Sequence, residues 1–313
     1  MKKPLLLILI LLLFGGIRAQ QDYQITHYMF DNLSFNPGYA GLNENICATI
    51  IGRQQWAGFD GSPTTALINI HSPVDMLKGG LGLTYVSDQL GFEQNNIARL
   101  NYSYHLDVGT GKMGIGVSFG ILQKSFAADW ITPSGTSTAN GTIVDALIPD
   151  ENASGVVPDI NVGLFYKTSD LYLGISTTHL GGFEMTNLNV QNVHHYWITA
   201  GYSYDINPDI KLRPSLLIKS DASSTIMDIN VNTLFNDLLW AGLTFRVGDA
   251  IAPMLGYQHS FSDGSSLRVG YAYGITTSVL GTYSNGSHDI MLNYCFSLEK
   301  PPVLEKSKNP RFL

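Results

Sequence analysis

Eight histidines and 25 acidic residues are raw material for catalysis or a metal centre, but their spacing supports neither. His194 and His195 are adjacent, so on a strand they point to opposite faces and cannot share an ion. His105 and Asp107 share a strand face, but two ligands make no site. His27, His71, His179, His259 and His288 show no ligand spacing with a cysteine or a second histidine. Neither a Gly-x-Ser-x-Gly elbow nor a His-Glu-x-x-His helix is present. Gly80, Gly82, Gly114, Gly116 and Gly120 resemble a phosphate loop only superficially, because their even spacing puts them on one face of strands, as packing positions in a crowded wall. The sequence predicts no enzyme, no cofactor and no metal.

Three other sets carry a pattern. Arg53, Arg99, Arg246 and Arg268, with Lys167, Lys211, Arg213 and Lys219, all fall on the parity opposite to the apolar residues of their segments. One reading pairs them with Asp228, Asp289 and tail carboxylates to fill a lumen. The other is a basic interior that takes an anionic group or a partner's acidic segment. Cys47 and Cys295 stand near the start of the first strand-like segment and near the end of the last. In a closed barrel with an even strand number they meet at the seam, as a disulfide or as two small buried side chains. Trp56, Phe59, Asp60 and Pro63 share a short loop. They are candidate partner contacts, or an interfacial aromatic girdle with a loop folded onto the barrel mouth.

The element that positions these residues is the strand. From Cys47 to Pro73 one arm alternates Ala48, Ile50 and Gly52 against Thr49 and Arg53, and the returning arm alternates Ala66, Ile68 and Ile70 against Leu67, Asn69 and His71. Gly58, Gly61 and Pro63 supply the turn between them. The same rhythm recurs in about fourteen segments, most of about ten residues, the length that crosses a bilayer on a tilt. They fall at 46–56, 64–72, 79–87, 96–106, 112–123, 159–167, 170–180, 194–205, 209–219, 225–234, 237–247, 251–261, 266–277 and 288–298. Links after even-numbered segments are all short, and the long links, 124–158, 181–193 and 278–287, follow odd-numbered ones. Short turns at one rim and longer loops at the other describe an all-β, antiparallel transmembrane barrel of about 14 strands, its turns periplasmic and its loops extracellular. A soluble secreted sandwich, the weaker reading, has no reason to sort its loops by parity.

Bulk properties agree. Charged residues are 14% of the 313, against about 25% in a soluble domain. Lys2 and Lys3 precede an apolar run from Leu5 to Phe14, which reads as a signal peptide over residues 1–19. Its removal takes Lys2, Lys3 and Arg18, leaving 15 basic residues against 25 acidic, a net charge of −10 that argues against nucleic-acid partners. Residues 20–45 have no sustained period and are expected to be a periplasmic segment packing under or into the barrel of residues 46–298. The tail 299–313, with Pro301 and Pro302, reads as an extended periplasmic docking segment. The loop 124–158 is rich in Ser, Thr, Gly and Asn, with Asp145, Asp150 and Glu151 near its end, and reads as solvated or as a lid, a calcium-binding turn or a partner contact.

In order along the chain stand Tyr28-Met29-Phe30, Asn36-Pro37-Gly38-Tyr39-Ala40-Gly41, Arg53-Gln54-Gln55-Trp56, Gly58-Phe59-Asp60-Gly61-Ser62-Pro63 and His71-Ser72-Pro73. This series resembles the PorP/SprF family of Bacteroidetes type IX secretion membrane proteins, although Gly38 departs from the Asn-Pro-Ala-Tyr turn more usual there. The resemblance implies a multi-pass outer-membrane protein of the secretion and gliding machinery, surrounded by outer-membrane lipid. It further implies partners among periplasmic and outer-membrane secretion components, and a role in secreting or retaining large adhesin-type cargo. The alternative is a porin or small-solute transporter, with Arg53, Arg99, Arg246 and Arg268 lining the path. A lumen plugged by loops or by the N-terminal segment favours anchoring, and a continuous wide channel favours transport.

Overall fold

Period-two alternation runs through every wall segment. The computed structural model, which describes residues 22–58, 60–126, 153–188 and 190–298, converts it into strands. They are β1 (Ile46–Gln54), β2 (Thr64–Val74), β3 (Gly79–Leu90), β4 (Glu93–Val108), β5 (Gly111–Phe126), β6 (Ala153–Lys167) and β7 (Leu171–Leu180). There follow β8 (His195–Tyr202, continued by Tyr204–Asn207), β9 (Ile210–Ser220), β10 (Thr225–Phe235), β11 (Leu239–Arg246), β12 (Ala250–Ser260), β13 (Ser266–Thr276) and β14 (Ser287–Phe296). Each pairs antiparallel with its neighbours in sequence, and β14 pairs with β1, so the fourteen strands close into a barrel with no free edge. Closure lets the wall strands pair their backbones within the sheet, the condition for crossing lipid with strands.

The alternation sorts side chains as the sequence predicts. On β5, Ile115, Phe119 and Ile121 face outward and exposed while Gly114, Gly116 and Ser118 face inward and buried. On β14, Asp289, Met291, Asn293 and Cys295 face inward. The central strands exceed the expected ten residues: β4 and β5 have 16 each and β6 has 15. The β5–β6 ladder continues out to Phe126 opposite Ala153, so the stretch expected as a loop from 124 to 158 begins and ends in paired strand. Its remainder lies outside the described residues, as do the signal peptide 1–19 and the tail 299–313.

The barrel's core is the chain's own N-terminal segment. Residues 22–45 lie within the wall and not beneath it, with Ile25, Tyr28, Leu33, Phe35, Tyr39 and Leu42 all buried. The segment runs from the long-loop end, where Asp22 meets β7–β9, to the short-turn rim, where β1 begins. A short 3-10 turn, Pro37–Tyr39, is capped by Asn36, whose Oδ1 accepts from Gly38 N at 2.9 Å. This turn presses on a patch of glycine. A Cβ on Gly114 would stand 2.0 Å from Gly38 O, one on Gly116 2.1 Å from Gly38 N, and one on Gly80 2.3 Å from Ala40 O. Gly80, Gly114 and Gly116 therefore form the seat of the plug, whereas a Cβ on Gly120 would stand 2.1 Å from Ala98 O, on the backbone of β4.

Candidate functional site

Four tiers of contact fix the plug, each joining it to distant strands. Nearest the long-loop rim, His179 at the end of β7 contacts the Asp22 carboxylate through Nε2 at 3.1 Å and Asp159 of β6 through Nδ1 at 2.7 Å. The Asp22 amide donates to His195 Nε2 at 3.2 Å, and Lys219 Nζ donates to the Asp22 carbonyl at 2.7 Å. Next, Asp289 of β14 accepts from Thr26 N at 2.9 Å, pairs with His27 Nδ1 and lies 3.4 Å from Arg53 Nη1. A third tier joins Asp31 to Ser34 Oγ and to Asn69 Nδ2 of β2, the latter at 2.7 and 2.8 Å. Around the turn, Ser103 Oγ donates to Gly38 O at 2.8 Å and Ser176 Oγ to Phe35 O at 2.6 Å. Aromatic pairs complete the fit: Phe35 on Trp197 at 5.2 Å, Phe30 on Trp240 at 4.9 Å, Tyr39 on Phe165 at 5.0 Å.

The four arginines expected to line the lumen divide three to one. Arg53, Arg99 and Arg246 are buried at about the level of the plug, each against a carboxylate: Asp289, Asp159 at 2.5 Å, and Asp228 in a two-pronged pair at 2.9 and 2.7 Å. Their charge is neutralised, as burial demands. Arg268 faces a cavity of about 370 Å³ between the plug and the wall at the short-turn end. Beside the plug lie voids of about 20 Å³ and about 10 Å³, each with room for about one water.

Cys47 and Cys295 are register partners on β1 and β14, and they form a disulfide at the short-turn end of the seam. At the other rim the β1–β2 loop holds Trp56 and Pro63 half-buried and Asp60 exposed, while Phe59 lies outside the described residues. The loop is tied to the β13–β14 loop: Trp56 N donates to Ser287 Oγ at 3.1 Å, Ala57 N to Gly286 O at 2.7 Å and Asn285 N to Ala57 O at 2.6 Å.

Asp22, His179 and His195 each bring a ligand atom within 4.8 Å of the others, a grouping that linear spacing missed because its members come from three separate segments. A dication fits it poorly. Lys219 already stands on the Asp22 carbonyl, and Arg99 holds the Asp159 carboxylate that His179 also uses. The arrangement is a hydrogen-bonded clamp on the start of the plug.

The family model for type IX secretion system membrane protein PorP/SprF matches residues 17–294. A comparison with curated proteins returns no match. Among solved structures the barrel is similar to the CymD monoaromatic hydrocarbon channel, with a TM-score of 0.53 and 13% identity over 91% of this chain and 96% of that one. Also similar are the P. putida toluene transporter TodX (TM-score 0.47, 11% identity, 82% and 89% covered) and the Acinetobacter baumannii outer membrane protein Omp33 (0.44, 9%, 82% and 99%). At such identities the likeness speaks for the fold alone.

Proposed function

This chain belongs to the PorP/SprF family of type IX secretion system membrane proteins, and from that premise we propose that it supports the secretion and surface anchoring of large adhesin-type cargo in the gliding and secretion machinery of the outer membrane. The observation that carries this reading is the filled lumen. A solute conduit needs a continuous path, and residues 22–45 occupy the barrel interior with buried contacts at every level. Paired Arg53, Arg99 and Arg246 stabilise that filling and offer no free charge to a passing anion. The loop carrying Trp56, Asp60 and Pro63 stands at the long-loop mouth, where cargo would be met. Periplasmic components would meet the short-turn rim and the tail 299–313. No catalytic role is proposed.

Purification from detergent-solubilised outer membrane, with mass spectrometry of what stays bound, tests this. A large secreted adhesin or other secretion components should co-purify, and planar bilayers should stay electrically quiet. A partner-free barrel that conducts steadily would refute anchoring and favour the porin reading.

A further inference from the structure

Five of the inward cations noted above, Arg53, Arg99, Lys211, Lys219 and Arg246, have their charge matched or their donors engaged, but a second population differs. Lys167 at the end of β6, Arg213 on β9 and Arg268 on β13 converge on the cavity of about 370 Å³ at the periplasmic end of the lumen. Arg268 repels both Lys167 and Arg213, which places the three within electrostatic reach of one another. In direct contact only neutral amides serve two of them, and Glu44, itself paired with Lys112, acts on Lys167 from beyond contact. Lys167 Nζ donates to Asn43 Oδ1 at 2.5 Å, and Arg268 donates to Gln258 Oε1 at 3.0 Å and Asn293 Oδ1 at 3.3 Å. Asp205 and Asp237 act on Arg213 from beyond contact, and Asp237 is itself paired with Lys211 at 2.7 Å. Among the described residues no ion pair closes on any of the three, and the cavity lining contributes one carboxylate, Asp170, in the β6–β7 turn.

Half-buried cations without counter-charges are costly unless an anion visits them. We propose that this vestibule receives an acidic peptide segment of a periplasmic partner, with Asp or Glu carboxylates taking up the free donors of Arg213, Arg268 and Lys167. Arginine's planar fork suits carboxylates. Tyr39 and Tyr172 in the lining offer apolar surface for the peptide's remainder. Lipid phosphates lie outside the wall and have no access, whereas a periplasmic peptide enters from the short-turn rim. The partner's location rests on the secretion-component reading. The charge argument does not.

The test uses full-length protein in detergent and the anisotropy of a fluorescein-labelled tetraglutamate peptide, with tetraglutamine as control. The glutamate peptide should bind at least tenfold more tightly and weaken as salt rises. The double variant Arg213→Gln/Arg268→Gln should lose at least tenfold, and Lys211→Gln, whose partner is Asp237 outside the cavity, should not. Heat-modifiable migration in gels confirms that each variant is folded. Equal binding of the two peptides, or an unaffected double variant, overturns the site. Tight binding of inorganic phosphate without the glutamate peptide makes it a small-anion site and overturns the peptide assignment. Peptide binding without co-purifying secretion components would sink the secretion reading alone.

Discussion

Replacing Gly116 by valine should unseat the plug while leaving the wall intact. A Cβ there would stand 2.1 Å from Gly38 N, 2.2 Å from Pro37 C and 2.6 Å from Gly38 Cα, all backbone atoms that no rotamer change can clear. Either the 3-10 turn moves or β5 bends. β5 is paired along its length to both β4 and β6, and valine suits a strand better than glycine, so the turn yields. In moving it gives up the bonds from Ser103 Oγ to Gly38 O and from Asn36 Nδ2 to Leu164 O, each worth about 1 kcal/mol. Overpacking adds about 1–3 kcal/mol. A total of about 3–5 kcal/mol raises the unseated population roughly 10²- to 10⁴-fold. Hydrogen exchange of peptides covering residues 22–45 reads this directly, and bilayer current reads its consequence. Gly52→Val is the control, because that position faces outward with nothing within 4 Å of a Cβ. If Gly116→Val keeps the exchange rates and silent bilayers of the unmodified protein, the glycine seat does not hold the plug.

Two further outcomes can be measured by the thermal midpoint of heat-modifiable migration. Asp289→Ala leaves buried Arg53 without its carboxylate and should cost about 3–5 kcal/mol. The double variant Arg53→Met/Asp289→Leu should recover at least half of the loss, and no recovery would show the pair's charge is not what matters. Cys47→Ser/Cys295→Ser opens a covalent loop spanning 248 residues and should lose up to about 5 kcal/mol in the chain-entropy account. An unchanged midpoint would count against it.

The wall was legible because lipid imposes a local rule: alternate side chains must be apolar, and two strand-lengths of that pattern suffice to identify a hairpin. The parity of Arg53 and Arg268 could likewise be read residue by residue. What their charges do could not. The same parity puts Arg53 beside Asp289 and leaves Arg268 among amides, because the partner comes from a strand hundreds of residues away or does not come at all. Asp159, His179 and Asp22 form one clamp from three segments with no common spacing. Residues 22–45 have no period because a plug touches different strands at successive residues, and so obeys no single repeat. The glycines were visible as packing positions, but the object packed against them was not.

Both extensions of the chain leave the wall at one place. The plug enters β1 at Ile46, and the tail departs just beyond Phe296, its register partner on β14. Tension drawn along either would act on one end of that strand pair. In that geometry ladder bonds fail one after another, at the small force needed for each. The Cys47–Cys295 bond sits one residue inside that end. Pulled from the periplasm, the seam can part only after a covalent bond has broken, so the barrel closes as a hoop and not as a zipper.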